Sequence, residues 1–281
     1  MPSFDTPEPV AVTVDMAAGS VRVVASDRTD TVVDVRPHNE TRDEDVRAAE
    51  ETRVDHAAGR LTVKGPKSWM RSLLPGVGPV IDVSIELPEG SSLDVTSWAS
   101  LLCEGRLGKV DVRSSLGDIR VQSAAELRAK TSMGDVTVGR VDGRCDVDTS
   151  AGTVRVGEVD GPAVVKTSMG ELSIGEVTGE LRLATSHGDI TVERALSSVV
   201  AKTSAGNVRV DHVVRGRVQL DTSYGDLTVG VNEGTAAWLD MSSRTGRVHS
   251  ELEASSAPRE GDETVEIRGR TQFGDILVRR A

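Results

Sequence analysis

The sequence predicts an all-β fold: a parallel β-solenoid of flattened two-sheet coils, about 18 residues per turn, with a strand-rich N-terminal cap. Three observations predict it. The tetrapeptide Thr-Ser-x-Gly returns at Thr131, Thr149, Thr167, Thr185, Thr203 and Thr222, and degenerate copies begin at Ser97, Ser114, Ser242 and Thr271. Steps between successive copies are 17, 17, 18, 18, 18, 18, 19, 20 and 29 residues. Apolar and polar residues alternate on both sides of each tetrapeptide, as strands with one buried face require. Finally, the chain has only three Trp, two Phe and one Tyr in 281 residues, so its core must be thin and aliphatic.

Taken in order, residues 10–35 alternate as short strands around Val10–Val14, Val21–Val23 and Val32–Val35, and Leu61–Val63 and Val80–Leu87 continue them. The charged stretch from Arg42 to Val54 reads as a short helix or a disordered loop. The loop Lys67-Ser68-Trp69-Met70-Arg71-Ser72-Leu73-Leu74-Pro75-Gly76-Val77-Gly78 is out of keeping with its surroundings. Trp69, Met70, Leu73 and Leu74 between basic residues form either a docking loop or a seal over the cap. Residues 1–90 are thus expected to be a cap with a charged insertion and an apolar loop, and residues 91–281 the repeat array. A cap protects the first open edge of a solenoid.

Within a repeat, the positions four and two residues before the Thr are apolar (Cys145 and Val147, Ala163 and Val165, Val218 and Leu220), and the Thr shares their parity. It is expected at the margin of the core. After the Gly comes a polar residue and then an apolar-x-apolar pair, as in Val154-Arg155-Val156 and Leu172-Ser173-Ile174, whose middle residue faces water. A second corner follows, exemplified by Gly157-Glu158-Val159-Asp160-Gly161. Such a unit could also form a meander of antiparallel hairpins. Recurrence of the same residue types at equivalent positions favours parallel stacking, which sets each Thr over a Thr and each Gly over a Gly. Residues 253–263 read as a polar surface loop, and Phe273 is expected to close the last coil.

The lead-in Ser84-Ile85-Glu86-Leu87-Pro88-Glu89-Gly90, followed by serial Thr-Ser-x-Gly-Asp-Val-x-Val units, resembles the bacterial putative-adhesin domain family over about residues 10–281. The resemblance implies a β-solenoid and an envelope-facing or scaffold role; it supplies no catalytic residues.

Thirty-three basic against 44 acidic residues leave a formal charge of −11 with no basic block, which opposes phosphate-backbone and anionic-lipid partners. Cys103 and Cys145 are expected to be buried, reduced thiols, since Cys145 holds a position filled elsewhere by Leu127, Ala163 and Leu181. Residues 1–9 lack the basic run and apolar core of a signal peptide, and no stretch approaches the ~18 apolar residues of a membrane span. A cytoplasmic location without membrane contact is the expectation.

Asp148-Thr149-Ser150 and Asp221-Thr222-Ser223 resemble aspartic-protease loops, but they are ordinary repeat positions held elsewhere by Lys130, Lys166 and Lys202. No nucleophile elbow, zinc-binding helix or phosphate loop occurs. No catalytic residue, cofactor or metal site is therefore expected. The residues after the corner Gly (Asp118, Asp135, Thr153, Glu171, Asp189, Asn207, Asp226, Arg247, Asp275) either satisfy turn amides or form a row inviting Ca²⁺. The x residues Leu116, Met133, Ala151, Met169, His187, Ala205 and Tyr224 make a second row, either packed beneath neighbouring turns or offered to a partner. Met133, Met169, His187 and Tyr224 join Trp69, Met70, Leu73 and Leu74 as candidate contact residues.

The resulting expectation is a non-enzymatic scaffold or adhesin-like module binding a protein or another copy of itself. A self-polymerising rod of the bactofilin kind and a carbohydrate-active β-helix enzyme are the alternatives.

Overall fold

A computed structural model describes residues 2–66, 78–253 and 263–281. The chain forms two compact units, residues 1–140 and 141–281.

In the first unit, β1 (Ser3–Asp5), β2 (Ala11–Ser26), β3 (Asp30–Pro37), the helix α1 (Asp43–Glu51), β4 (Arg53–Ala57), β5 (Arg60–Lys64) and β6 (Ile81–Pro88) precede the long β7 (Ser92–Ser114) and β8 (Ile119–Met133). The strand β9 (Val136–Val141) ends it. The segment expected to be helix or disordered loop is helical over Asp43–Glu51, with Asp43, Glu44 and Asp45 in the first turn, where the helix dipole favours negative charge. Asp45 is buried and accepts a 2.9 Å hydrogen bond from the backbone N–H of Val80, anchoring the helix to the chain ahead of β6.

The two strands expected within Val10–Val23 form one, β2, which turns a corner at Gly19. There φ is +135°, and a Cβ would lie 1.7 Å from the carbonyl oxygen of Ile81, so only glycine fits. One edge of β2 pairs in parallel with β7, from Ala11↔Ser92 to Val24↔Glu104. The other pairs in parallel with β5 and β6. Those two strands then pair antiparallel with β4 and β3, and β3 with β1. Residues 11–26 are thus a coil of the same kind as 92–114, although they lack the tetrapeptide. The strands beyond them change to antiparallel pairing and end the parallel stack.

The second unit repeats one coil seven times. One strand stack comprises β10 (Cys145–Ala151), β12 (Ala163–Lys166), β14 (Leu181–Ala184), β16 (Val199–Lys202) and β18 (Gly216–Asp221); the facing stack comprises β11 (Val154–Val159), β13 (Leu172–Val177), β15 (Ile190–Ala195), β17 (Val208–Val213) and β19 (Leu227–Val231). All these pairings are parallel, and in register except for a one-residue shift between Val210 and Val213 where β17 meets β19: Cys145↔Ala163↔Leu181↔Val199↔Val218 along one stack, Val154↔Leu172↔Ile190↔Val208↔Leu227 along the other. Every residue in these two series is essentially inaccessible to solvent. Burying a Val, Leu or Ile side chain contributes about 1.5–3 kcal/mol, so each coil is held by the aliphatic pairs it shares with its neighbours.

The second corner lies within a strand. Gly157 and Glu158 are both exposed, so the alternation skips one residue and Val159 returns to the interior at 1% exposure. Val177, Ala195 and Val213 repeat this position.

At the end of the unit the coils do not follow chain order. The strands β20 (Ala236–Thr245) and β21 (Val248–Ser250) precede β22 (Thr264–Phe273) and β23 (Ile276–Arg280) in sequence. Nevertheless β18 and β19 pair with β22 and β23, whose far edges pair with β20 and β21. The coil containing Phe273 is therefore enclosed, and the coil 236–250 is the outer one. This corrects the expectation that Phe273 closes the last coil. The tetrapeptide register there is also shifted by one: Ser243, not Ser242, stands opposite Thr271.

Candidate interaction surface

The Thr-Ser-x-Gly-Asp corner has a distinct task for each residue. The threonines point inward at 3–8% exposure, as their parity predicts. Their hydroxyls are satisfied by corner carbonyls: Thr222 Oγ1 donates to Gly206 O and Thr271 Oγ1 to Gly225 O, both at 3.0 Å. A buried hydroxyl without such an acceptor would cost about 1–3 kcal/mol.

The glycines are required twice over. Gly170, Gly188, Gly206, Gly225 and Gly274 have φ between +140° and +150°. A Cβ on any of them would come within 2.0–2.1 Å of the carbonyl oxygen of the glycine in the preceding coil.

The polar residue after the glycine forms a ladder between coils. Asp189 Oδ1 accepts from the N–H of Asn207 at 2.7 Å, Asn207 Oδ1 from Asp226 at 2.9 Å, Asp226 Oδ1 from Asp275 at 2.7 Å, and Asp275 Oδ1 from Arg247 at 2.7 Å. In the first unit Asp118 Oδ1 accepts from the N–H of Asp135 at 3.1 Å. The row is therefore turn chemistry, with the amide supplied by the adjacent coil. Among the described residues, no group of three or more His, Cys, Asp or Glu side chains is arranged to hold a metal ion.

Asp148 and Asp221 lie at opposite ends of the register series Asp148↔Lys166↔Ala184↔Lys202↔Asp221. Four strand spacings separate them by about 19 Å, too far to share a proton. Asp221 instead forms a 3.2 Å ion pair with Lys202.

What the corners leave over is their x residue. In the second unit Ala151, Met169, His187, Ala205, Tyr224 and Phe273 are bridged in series, each to the next coil. Met169 and Tyr224 are each 59% exposed and Phe273 43%, and His187 is also exposed. The rings of Tyr224 and Phe273 stack with centroids 5.0 Å apart and planes 3° from parallel. The row is an outward ridge and is not packed beneath neighbouring turns. Met169, His187 and Tyr224 share it. Met133, 56% exposed, is bridged to Leu116 in the first unit. Trp69, Met70, Leu73 and Leu74 lie outside the described residues.

Four exposed apolar side chains escaped the sequence reading: Trp98 at 44% and Leu102 at 37% in the first unit, and Trp238 at 76% and Val248 at 49% in the second. The alternation Trp238-Leu239-Asp240-Met241 does signal an outward Trp238, once Ser243 is taken as the corner residue. The thiols are buried and free. Burial, with a smaller contribution from Asp146, pushes Cys145 up to about 12, and burial raises Cys103 as well.

A family model described as Toastrack DUF4097 matches residues 11–278. No curated protein matches the chain. Among solved structures, a putative adhesin from Parabacteroides merdae is 14% identical, with 82% of this chain and 94% of that one covered and a TM-score of 0.47. A putative adhesin from Parabacteroides distasonis is 12% identical, with 98% and 95% covered and a TM-score of 0.39. Another protein from that organism, described as a putative lipid binding protein, is also 12% identical, with 100% and 95% covered and a TM-score of 0.30.

Proposed function

The chain belongs to the Toastrack DUF4097 family, and on that premise we propose that it is a non-enzymatic protein-interaction module whose corner ridge meets a protein partner. The observation that carries this reading is the in-register series Met169, His187, Ala205, Tyr224 and Phe273, a line of mostly apolar side chains held outward on a rigid backbone. Such side chains gain from leaving water, and a backbone fixed by neighbouring coils loses little entropy on binding. The corner carboxylates that a catalytic site could have recruited are engaged with amides of adjacent coils. Methionine and stacked aromatic rings suit a partner with apolar side chains better than a charged polymer, in keeping with the acidic balance of the chain.

The test is recovery of partners from native cells with the wild-type chain and with Met169→Ser/Tyr224→Ser. Both side chains are exposed, so the double variant should keep the wild-type melting temperature. Loss of a specific partner with the fold intact is the expected outcome; an unchanged partner set removes the ridge from the interface.

A further inference from the structure

We propose that the free edge of β20 is a homodimerisation surface, at which a second copy adds its own β20 antiparallel about a two-fold axis through Ser242. Among the described residues, β20 pairs on one side only, with β22. The N–H of Ala236 donates to Glu263 on that side, so alternation along the strand turns the amides of Ala237, Leu239, Met241 and Ser243 to the open edge. Exposed edges are normally blunted by proline, lysine, bulges or a covering element. The first unit shows such a device in its antiparallel strands β1, β3 and β4. The ten residues of β20, Ala-Ala-Trp-Leu-Asp-Met-Ser-Ser-Arg-Thr, include neither Pro nor Lys, and Leu239 and Met241 on the inward face remain half-buried.

The outward charges select the occupant. Trp238, Asp240, Ser242 and Arg244 alternate on the outer face, where Asp240 already pairs with Arg268 of its own chain at 2.9 Å and keeps its second oxygen for a cation across the edge. An antiparallel copy centred on Ser242 sets Asp240 against the partner's Arg244, and Arg244 against the partner's Asp240. Both pairs form at once because the axis makes them equivalent, the mark of an isologous interface. The open amides agree with this register: Met241 faces the partner's Ser243 and exchanges two backbone hydrogen bonds with it, and the symmetry repeats the exchange. Shifting the centre to Asp240 would oppose two carboxylates. A two-fold contact uses up the edge in both copies, so assembly stops at two and does not continue as a filament. The ridge of Met169 and Tyr224 lies outside this contact, so the two readings stand or fall separately.

The test uses the full chain. Facing Cα atoms of a non-hydrogen-bonded antiparallel pair lie ~4.5 Å apart, within disulfide range. Ser242→Cys should therefore oxidise rapidly to a symmetrical disulfide dimer, with Cys103 and Cys145 buried away from the reaction. Trp238→Cys, which the same register sets against the partner's Gly246, should cross-link far more slowly. In sedimentation equilibrium the wild type should reach a dimer and no further. Arg244→Glu, at an exposed position, should raise the dissociation constant roughly tenfold by opposing like charges. Tyr224→Ser should leave that constant unchanged. A chain monomeric at every concentration, growth beyond two copies, a dimer indifferent to Arg244→Glu, or equal cross-linking rates for the two cysteine variants would each overturn the proposal.

Discussion

Gly188 concentrates the constraint that builds the coil. Its φ of +140° disfavours any side chain, and a Cβ there would sit 2.1 Å from the carbonyl oxygen of Gly170. Backbone strain alone costs about 1–3 kcal/mol, and relieving the clash must push adjacent coils apart, so Gly188→Ala should destabilise by about 3 kcal/mol or more. Gly59 makes the control, because it also has positive φ but open space where a Cβ would go. Gly59→Ala should cost about 1 kcal/mol, and thermal unfolding of the two variants would separate strain from collision. The buried thiols supply a pH dependence. Their folded pKa lies above the ~8.5 of an unfolded cysteine, so the neutral thiol's contribution is fully present below that pH. It declines above ~8.5 and is lost as pH rises through the folded value, about 12 for Cys145. Between those limits the stability of the wild type should fall faster than that of Cys103→Ala/Cys145→Ala; parallel pH profiles would count against burial of the neutral thiols. The inward Thr and the corner Gly were legible in the alternation. That each Asp or Asn serves the amide of the next coil was not, because a side chain's partner across coils depends on stacking.

Element order at the end of the second unit shows where period and packing diverge. Sequence steps place 236–250 before 264–280, and a reader of steps alone stacks them so. Both coils offer β18 the same alternation, and the choice between them rests on side-chain volume and burial. Val265, Ile267, Ile276 and Val278 fill the interior at 0–2% exposure, whereas the outer coil has Leu239 and Met241 only half-buried and Val248 exposed. The more strongly aliphatic coil occupies the enclosed position. Ile267→Ala should therefore cost about 2–5 kcal/mol and Leu239→Ala distinctly less. Amide exchange at dilution, where the chain is monomeric, supplies the companion measurement: β22, paired on both edges, should be protected well beyond β20. Greater protection of β20 than of β22 would mean that the coils stack in chain order.

Each unit, taken by itself, is a stack of the same coil. The sequence by itself determined that coil: its length, the two strand faces, the glycine corner and the thin aliphatic interior, all set by contacts within about 18 residues. It also singled out the row of x residues, but left open whether they pack beneath neighbouring turns or face outward; their exposure was decided by the structure. Tertiary structure alone decided that residues 11–26, without a tetrapeptide, form a coil against β7, and that antiparallel strands end the stack beyond them. It also decided that the outer coil of the second unit is 236–250, leaving one edge of β20 without a strand partner among the described residues. The reason lies in the repeat itself. Coils of one period and one parity are nearly interchangeable as neighbours, so a local pattern specifies how a coil is made, while its neighbours and its free edges follow from which aliphatic faces bury best together.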